Sequence, residues 1–401
     1  MAQAPSINRR EWLARGGAAV LGLAKDIKAA AARRKPIAAI ITEYRPDSHA
    51  DVIVGRLLEG YEFNGRRQNP QVEVTSMYTD QVPANDMSRA IAARHRVRIC
   101  ATVRDALVNN ERLAVEGVLL IGEHGNYPQN NKGQKLYPRY ELYKQIIDVF
   151  RQTGRAVPVF CDKHLSYDWT KAKWMYDQSR ALNFPLMAGS SVVMTQRRPP
   201  LEIALEAPVE KSVTAFYGEK EAYGFHALEA HQCMVERRRG GETGIRAVTC
   251  LEGTAVWDWT DRHPWASRLL ETALTRCEGR SSGPPRELVK VPVLFLLEYT
   301  SGLEGAVYLL NGLIEQAVFA AALKGFAEPV STELWLQPVR PFSHFSGLVH
   351  SIEQMVVTGT PPYPVERTLL TTGALAALMD SSYQGHRRLE TPQLKIRYRS
   401  A

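Results

Sequence analysis

Short apolar runs alternate with amphipathic stretches through the first half of the chain. Ile37-Ala-Ala-Ile-Ile41 is uninterrupted, largely β-branched and followed by a turn, the pattern of a strand buried on both faces. A helix is predicted over 48–61, because Ser48 stands where an N-cap belongs and Val52, Ile53, Leu57 and Leu58 give it one apolar face. Further strands are predicted over 71–78, 98–101, 115–121, 157–160 and 185–188, with helices over 103–109, 140–153 and 169–182 between them. Strands alternating with helices of this length predict a parallel sheet joined by right-handed crossovers.

Beyond about residue 190 the pattern changes. Segments 289–299 and 306–310 are strand-like and are separated by turn residues Thr300-Ser-Gly302, which makes them antiparallel neighbours. Helices are predicted over 225–238 and 345–358. The expected class is α/β: a Rossmann-like parallel-sheet domain over 36–190, then an α+β domain over 191–401 with an open, mainly antiparallel sheet and C-terminal helices packing back on the first domain. The length of 401 residues agrees with two domains, since single cores stop growing near ~250 residues. No repeat of 20 to 50 residues is visible.

The formal net charge of +8 suggests a polyanionic partner until it is mapped along the chain. Residues 1–35 hold eight basic side chains (Arg9, Arg10, Arg15, Lys25, Lys28, Arg33, Arg34, Lys35) against Glu11 and Asp26, a net +6, so the rest of the chain carries only +2. With no basic stripe in the body, nucleic acid is not an expected partner. The leader, with Arg9-Arg10, Trp12-Leu13 and a mild apolar run over 16–24, resembles a twin-arginine export signal and predicts a periplasmic or exported protein. The alternative is an ordinary basic amphipathic helix on a cytoplasmic protein. No run of about 18 apolar residues exists, so no membrane span is expected. Five cysteines without a CxxC pair indicate neither a disulfide framework nor a cysteine zinc site.

In a parallel sheet all strand C-termini reach one edge, and ligands bind in the crevice there. The polar chemistry of this chain gathers at those ends: Thr42, Glu43, Tyr44, Ser48 and His49 after the first strand, Asp80 after the second, Glu123 and His124 after 115–121, and Asp162, Lys163 and His164 after 157–160. Asp80 stands where dinucleotide-binding folds place an acid for the ribose hydroxyls. The glycine-rich loop that accompanies such an acid is replaced by Thr42-Glu-Tyr-Arg-Pro-Asp-Ser48, with no glycine until Gly55. The backbone then approaches a pyrophosphate less closely, which leaves Arg45 and the helix start near Ser48 to hold an anion. Lys163, at a buried strand end between Asp162 and His164, is placed to protonate or polarise a substrate oxygen. His226 and Glu229, three apart on one helix, share a face, so the carboxylate either orients the imidazole or faces the same cleft. A metal reading would combine His124, His164, His226 and Glu229, but no HExxH or comparable spacing exists and no metal ligand is assigned.

These motifs, in this order, resemble those of the glucose-fructose oxidoreductase, inositol dehydrogenase and rhizopine-catabolism (Gfo/Idh/MocA) family. Phe160-Cys161-Asp162-Lys163-His164-Leu165, the helix after it and Pro185-Leu-Met-Ala-Gly189 are similar to that family's Glu-Lys-Pro segment, helix and following strand. His226-Ala-Leu-Glu229 resembles its His-x-x-Asp helix, and Ile352-Glu-Gln-Met, Thr358-Gly-Thr-Pro-Pro362 and the helix over 368–382 resemble its closing helices. The departures are the lost glycine loop, Asp162 for Glu, His164 for Pro and a long loop over 126–137. The resemblance implies NAD(P)-dependent oxidation of a sugar or polyol hydroxyl in a homo-oligomer, with Lys163 and His226 in catalysis beside Glu229 and His164. It also implies a tightly held NAD or NADP facing Thr42, Tyr44, Ser48, His49, Asp80, Glu123, His124 and Asp162. The alternatives on the same scaffold are a cofactor-free or metal-using sugar lyase, hydrolase or isomerase, and a non-catalytic carbohydrate-binding protein.

Overall fold

The computed structural model describes residues 33–400, so the leader lies almost wholly outside the described residues. The first sheet has six parallel strands, β1 (Lys35–Ile41), β2 (Val72–Thr79), β3 (Arg98–Cys100), β4 (Gly117–Ile121), β5 (Val159–Asp162) and β6 (Leu186–Gly189), in the order β6-β5-β4-β1-β2-β3. The order reverses at β1, which pairs with β4 on one side and β2 on the other. The predicted strands and helices of this half are all present, with ends displaced by a few residues where polar side chains still fit the ladder. Helix α1 (His49–Glu59) begins as predicted: the Ser48 hydroxyl accepts from the Asp51 N–H. The predicted helix over 103–109 ends at Leu107, where Val108–Asn109 turns into a short antiparallel ladder with Arg112–Leu113.

One face of the sheet is covered by α1 and by α2 (His344–Thr358), which returns from the far end of the chain. Leu348, Val349, Ile352 and Met355 of α2 are fully buried against Ile37, Ala39 and Ile41, each such side chain contributing roughly 1.5–3 kcal/mol. The approach is close enough that a β-carbon on Gly117 would lie 2.8 Å from Val356 Cγ2. The other face is covered by the helices Val103–Leu107, Arg139–Thr153 and Trp169–Ala181.

The second sheet has eight strands. Ile245–Glu252, Val293–Tyr299, Glu304–Leu309, Ala317–Leu323 and Val330–Leu334 pair antiparallel with their neighbours in that half, apart from one parallel pairing of Glu304–Leu309 with Val209–Phe216. The turn at Thr300-Ser-Gly302 joins antiparallel neighbours, as the turn residues predict. The segment predicted as a strand from 289 begins only at Val293, after a one-turn helix, Pro285–Leu288. Helices Ala222–Val235 and Glu366–Tyr383 pack on one face of this sheet, and Pro264–Leu274 on the other.

Several of these elements left no clear pattern in the sequence, for physical reasons. Ala317–Leu323 is alanine-rich, a composition that favours helix in isolation. Val209–Phe216 carries Ser212 and Thr214 at fully buried positions, where they hydrogen-bond to the buried ring of His231 at 3.2 and 2.9 Å. Buried hydroxyls erase the apolar run that marks a strand.

Candidate functional site

The reversal of strand order at β1 opens a crevice between the ends of β1 and β4, the position at which open α/β sheets take ligands. A cavity of about 300 Å³ occupies it, lined among others by His49, Glu123, His124, Lys163 and His226. Two larger hollows, of about 740 and 570 Å³, lie elsewhere and gather no comparable set of strand-end groups.

Lys163 follows β5 with φ 62°, and His124 follows β4 with φ 70°. Left-handed backbone is rare outside glycine and collects at functional sites. Lys163 Nζ donates to Glu123 Oε1 at 2.8 Å, and the Arg139 guanidinium donates to Glu123 Oε2 at 2.6 Å. All three side chains are buried. Burial alone would raise the Glu123 carboxyl, but the adjacent Lys163 and Arg139 cations outweigh it and hold it well below the ordinary carboxylate range. The other Arg139 N–H group donates to His164 Nε2 at 3.0 Å. Burial, then the Arg139 charge, keeps His164 neutral. Behind His164 stands Glu221, 3.4 Å from Nε2, whose carboxyl burial pushes up to about 7.

The imidazoles meet at the mouth of the cavity. The His49 ring centroid is 5.6 Å from that of His124 and 6.4 Å from that of His226. His49 Nδ1 bonds to Asp162 Oδ2 at 2.7 Å. His124 Nδ1 accepts from Arg45 at 3.1 Å, and burial followed by the neighbouring His49 lowers its pKa to about 4. His226 Nδ1 lies 2.6 Å from Ser190 Oγ, and burial followed by the Lys163 charge holds the ring neutral.

His49, Glu123, His124, Asp162, Lys163 and His226 are therefore brought together. The other residues expected at the site are placed differently. His164 is buried behind the Arg139–Glu123 pair. Thr42 lies beneath the crevice, its hydroxyl donating to the Glu123 carbonyl at 2.6 Å. Tyr44 is a core residue whose hydroxyl points toward Gly55. Ser48 spends its hydroxyl on the N–H groups of Arg45 and Asp51, at 3.2 and 3.3 Å. Asp80 is exposed and accepts from the phenols of Tyr78 and Tyr127 at 2.8 and 2.6 Å. Glu229 does not bond to His226: its carboxylate, which burial raises, accepts from Thr371 at 2.6 Å and from the Ser190 N–H at 3.3 Å. Sharing a helix face at i and i+3 was not enough to pair them: the Glu229 carboxylate is taken by Thr371 and the Ser190 N–H instead.

Arg139, Ser190 and Glu221 were not singled out from the sequence. Ser190 follows the last parallel strand, so the rule that found Lys163 would have found it. Nothing local distinguishes Arg139 from a solvent-facing helix arginine.

The start of α1 tests whether a dinucleotide fits. The Asp47 N–H donates to Asp51 Oδ2 at 2.9 Å, Arg340 pairs with both carboxylates, at 2.7 Å to Asp47, and Arg45 is held by Glu43 and His124, at 3.1 Å each. Two carboxylates thus stand at the start of α1, and Arg45 and the Ser48 hydroxyl, the expected anion-holding groups, are already engaged. A pyrophosphate in the ordinary Rossmann seat would have to displace these contacts.

No protein-family model matches the chain, and no curated protein does. Solved structures share its fold. GenD2 from gentamicin A biosynthesis, in complex with NAD, matches with 16% identity over 89% of this chain and 96% of that one, at a TM-score of 0.57. A myo-inositol dehydrogenase from Corynebacterium glutamicum matches with 10% identity over 89% and 98%, at 0.54. Aldose-aldose oxidoreductase from Caulobacter crescentus, complexed with glycerol, matches with 14% identity over 89% and 100%, at 0.50. The chain therefore has the two-part fold of these structures, a Rossmann half and an α+β half.

Proposed function

We propose that the protein is an oxidoreductase acting on a hydroxyl of a sugar or polyol, with the strand-end cleft as its active site. The observation that carries this reading is the convergence on one cavity of Lys163, tied to Glu123, and a neutral His226, tied to Ser190. A cavity of about 300 Å³ suits a single sugar ring or cyclitol. Lys163 and His226 handle the hydroxyl proton and orient its oxygen, while His49 and His124 offer further hydrogen-bonding nitrogens to the remaining hydroxyls. The hydride acceptor of this reading is NAD or NADP, supported by the fold shared with dehydrogenases; when bound, it supplies the redox chemistry. The leader suggests an exported enzyme, and a homo-oligomer accompanies the reading by analogy of fold alone.

One observation favours a second reading. Asp47 and Asp51 at the start of α1 oppose a pyrophosphate there, so the same groups would then perform proton transfer without a dinucleotide, as a sugar isomerase or lyase.

The test is to denature natively purified full-length protein, identify released small molecules by mass spectrometry, and titrate the protein with NAD and NADP by calorimetry. Stoichiometric release, or saturable binding, supports the redox reading. With neither, turnover of inositols or aldoses detected by mass spectrometry supports the second. In both, Lys163→Ala abolishes turnover with only modest loss of sugar binding, and unchanged turnover in that variant overturns the site.

A further inference from the structure

The backbone after β6 is clamped in an unusual way. Gly189 has φ 123°, and a β-carbon there would lie 2.6 Å from Glu229 Oε2 and 2.8 Å from Thr368 Oγ1. The next N–H, that of Ser190, donates to the same Glu229 oxygen at 3.3 Å. Lys163 donates its backbone N–H to the Gly189 carbonyl at 3.1 Å, so Lys163 and Ser190 leave adjacent strands in fixed register. Glu229 therefore reaches His226 through Ser190, not through the imidazole itself.

The Ser190 hydroxyl has two neighbours. It accepts from the Val192 N–H at 3.1 Å as the cap of a short 3₁₀ turn, and it lies 2.6 Å from His226 Nδ1. If Nδ1 carried the proton, Ser190 Oγ would accept twice and its own hydrogen would have no acceptor among the described residues. If Ser190 donates to Nδ1, every one of these groups is satisfied. We propose that Ser190 is a positioning residue that fixes His226 as the Nε2–H tautomer, so that His226 meets its ligand as a hydrogen-bond donor. Resting on the active-site reading above, this places the His226 Nε2–H in the same cavity as the Lys163 ammonium. In either reaction His226 then steadies the substrate oxygen with its Nε2–H, opposite the Lys163 ammonium that donates to Glu123.

The experiment reads the tautomer directly and needs no substrate. Full-length protein labelled with ¹⁵N-histidine is recorded by long-range ¹H–¹⁵N correlation at neutral pH, His226 being assigned by the signals lost in His226→Gln. The wild type should show Nε2–H in excess of the intrinsic preference of a free imidazole by roughly fivefold, the ratio expected of one net hydrogen bond. Ser190→Ala should bring the excess down to that intrinsic preference with unchanged circular dichroism, and Ser190→Thr, which keeps the hydroxyl, should restore it. An Nδ1–H wild type, or a Ser190→Ala spectrum equal to wild type, overturns the proposal. If Ser190→Ala does not fold, the wild-type tautomer and Ser190→Thr still decide. Because turnover is not measured, a protein with the predicted tautomer and no activity on any sugar counts against the functional reading alone.

Discussion

Replacing Glu123 by Gln removes the one anion between two buried cations. The wild-type carboxylate accepts from Lys163 at 2.8 Å and from Arg139 at 2.6 Å, with Lys163 and Glu123 each 5% exposed and Arg139 fully buried. An amide of the same shape accepts from one of them and presents its N–H₂ to the other, leaving that cation unpaired. Breaking a buried pair by neutralising one partner costs about 3–5 kcal/mol, and about 3 kcal/mol is expected here because the amide keeps one hydrogen bond. Glu123 is held below its ordinary pKa when folded, so its share of stability is fully present above the unfolded value near 4.5 and is lost as pH falls through the folded one. The wild-type advantage over Glu123→Gln should therefore be large at pH 7 and shrink below pH 4. Urea unfolding of both proteins, followed by tryptophan fluorescence at the two pH values, gives the comparison. A difference under about 1 kcal/mol at pH 7 with equal m-values, or one of the same size at both pH values, would refute the reasoning.

Two other consequences concern backbone and protonation. Gly189→Ala forces a side chain into a left-handed position already bounded by Glu229 and Thr368, and thermal unfolding should register a loss of about 1–3 kcal/mol; an unchanged midpoint would show that the β6 end yields. His124 and His344 titrate near 4 in the folded chain, chiefly through burial. Both bind protons more readily unfolded than folded, so stability should fall as pH drops below about 6.5, by at most about 1.4 kcal/mol per pH unit for each ring and less where water reaches it. Flat stability between pH 7 and 5 in urea titrations would contradict those environments.

Local pattern determined a good deal. The β-branched run after Pro36, the Ser48 cap and the turn at Thr300-Ser-Gly302 each express a preference of neighbouring residues, and each appears in the structure at its expected place. Once the sheet is known to be parallel, its strand ends must meet, so the gathering of Glu123, His124, Lys163 and His49 at one edge was also written in the order of elements. The lost glycine loop was equally plain. Tertiary structure alone decided which of these groups touch. His49 bonds to Asp162, 113 positions away, and Arg139 turns inward to join Glu123 and His164. Glu229 turns from His226 to Thr371, 142 positions away. Arg340, from the far half of the chain, takes the carboxylates at the start of α1. The physical reason is that a buried polar group must find a partner, and the choice depends on which donor or acceptor the packed core leaves within about 3 Å. Distance along the chain carries no information about that choice.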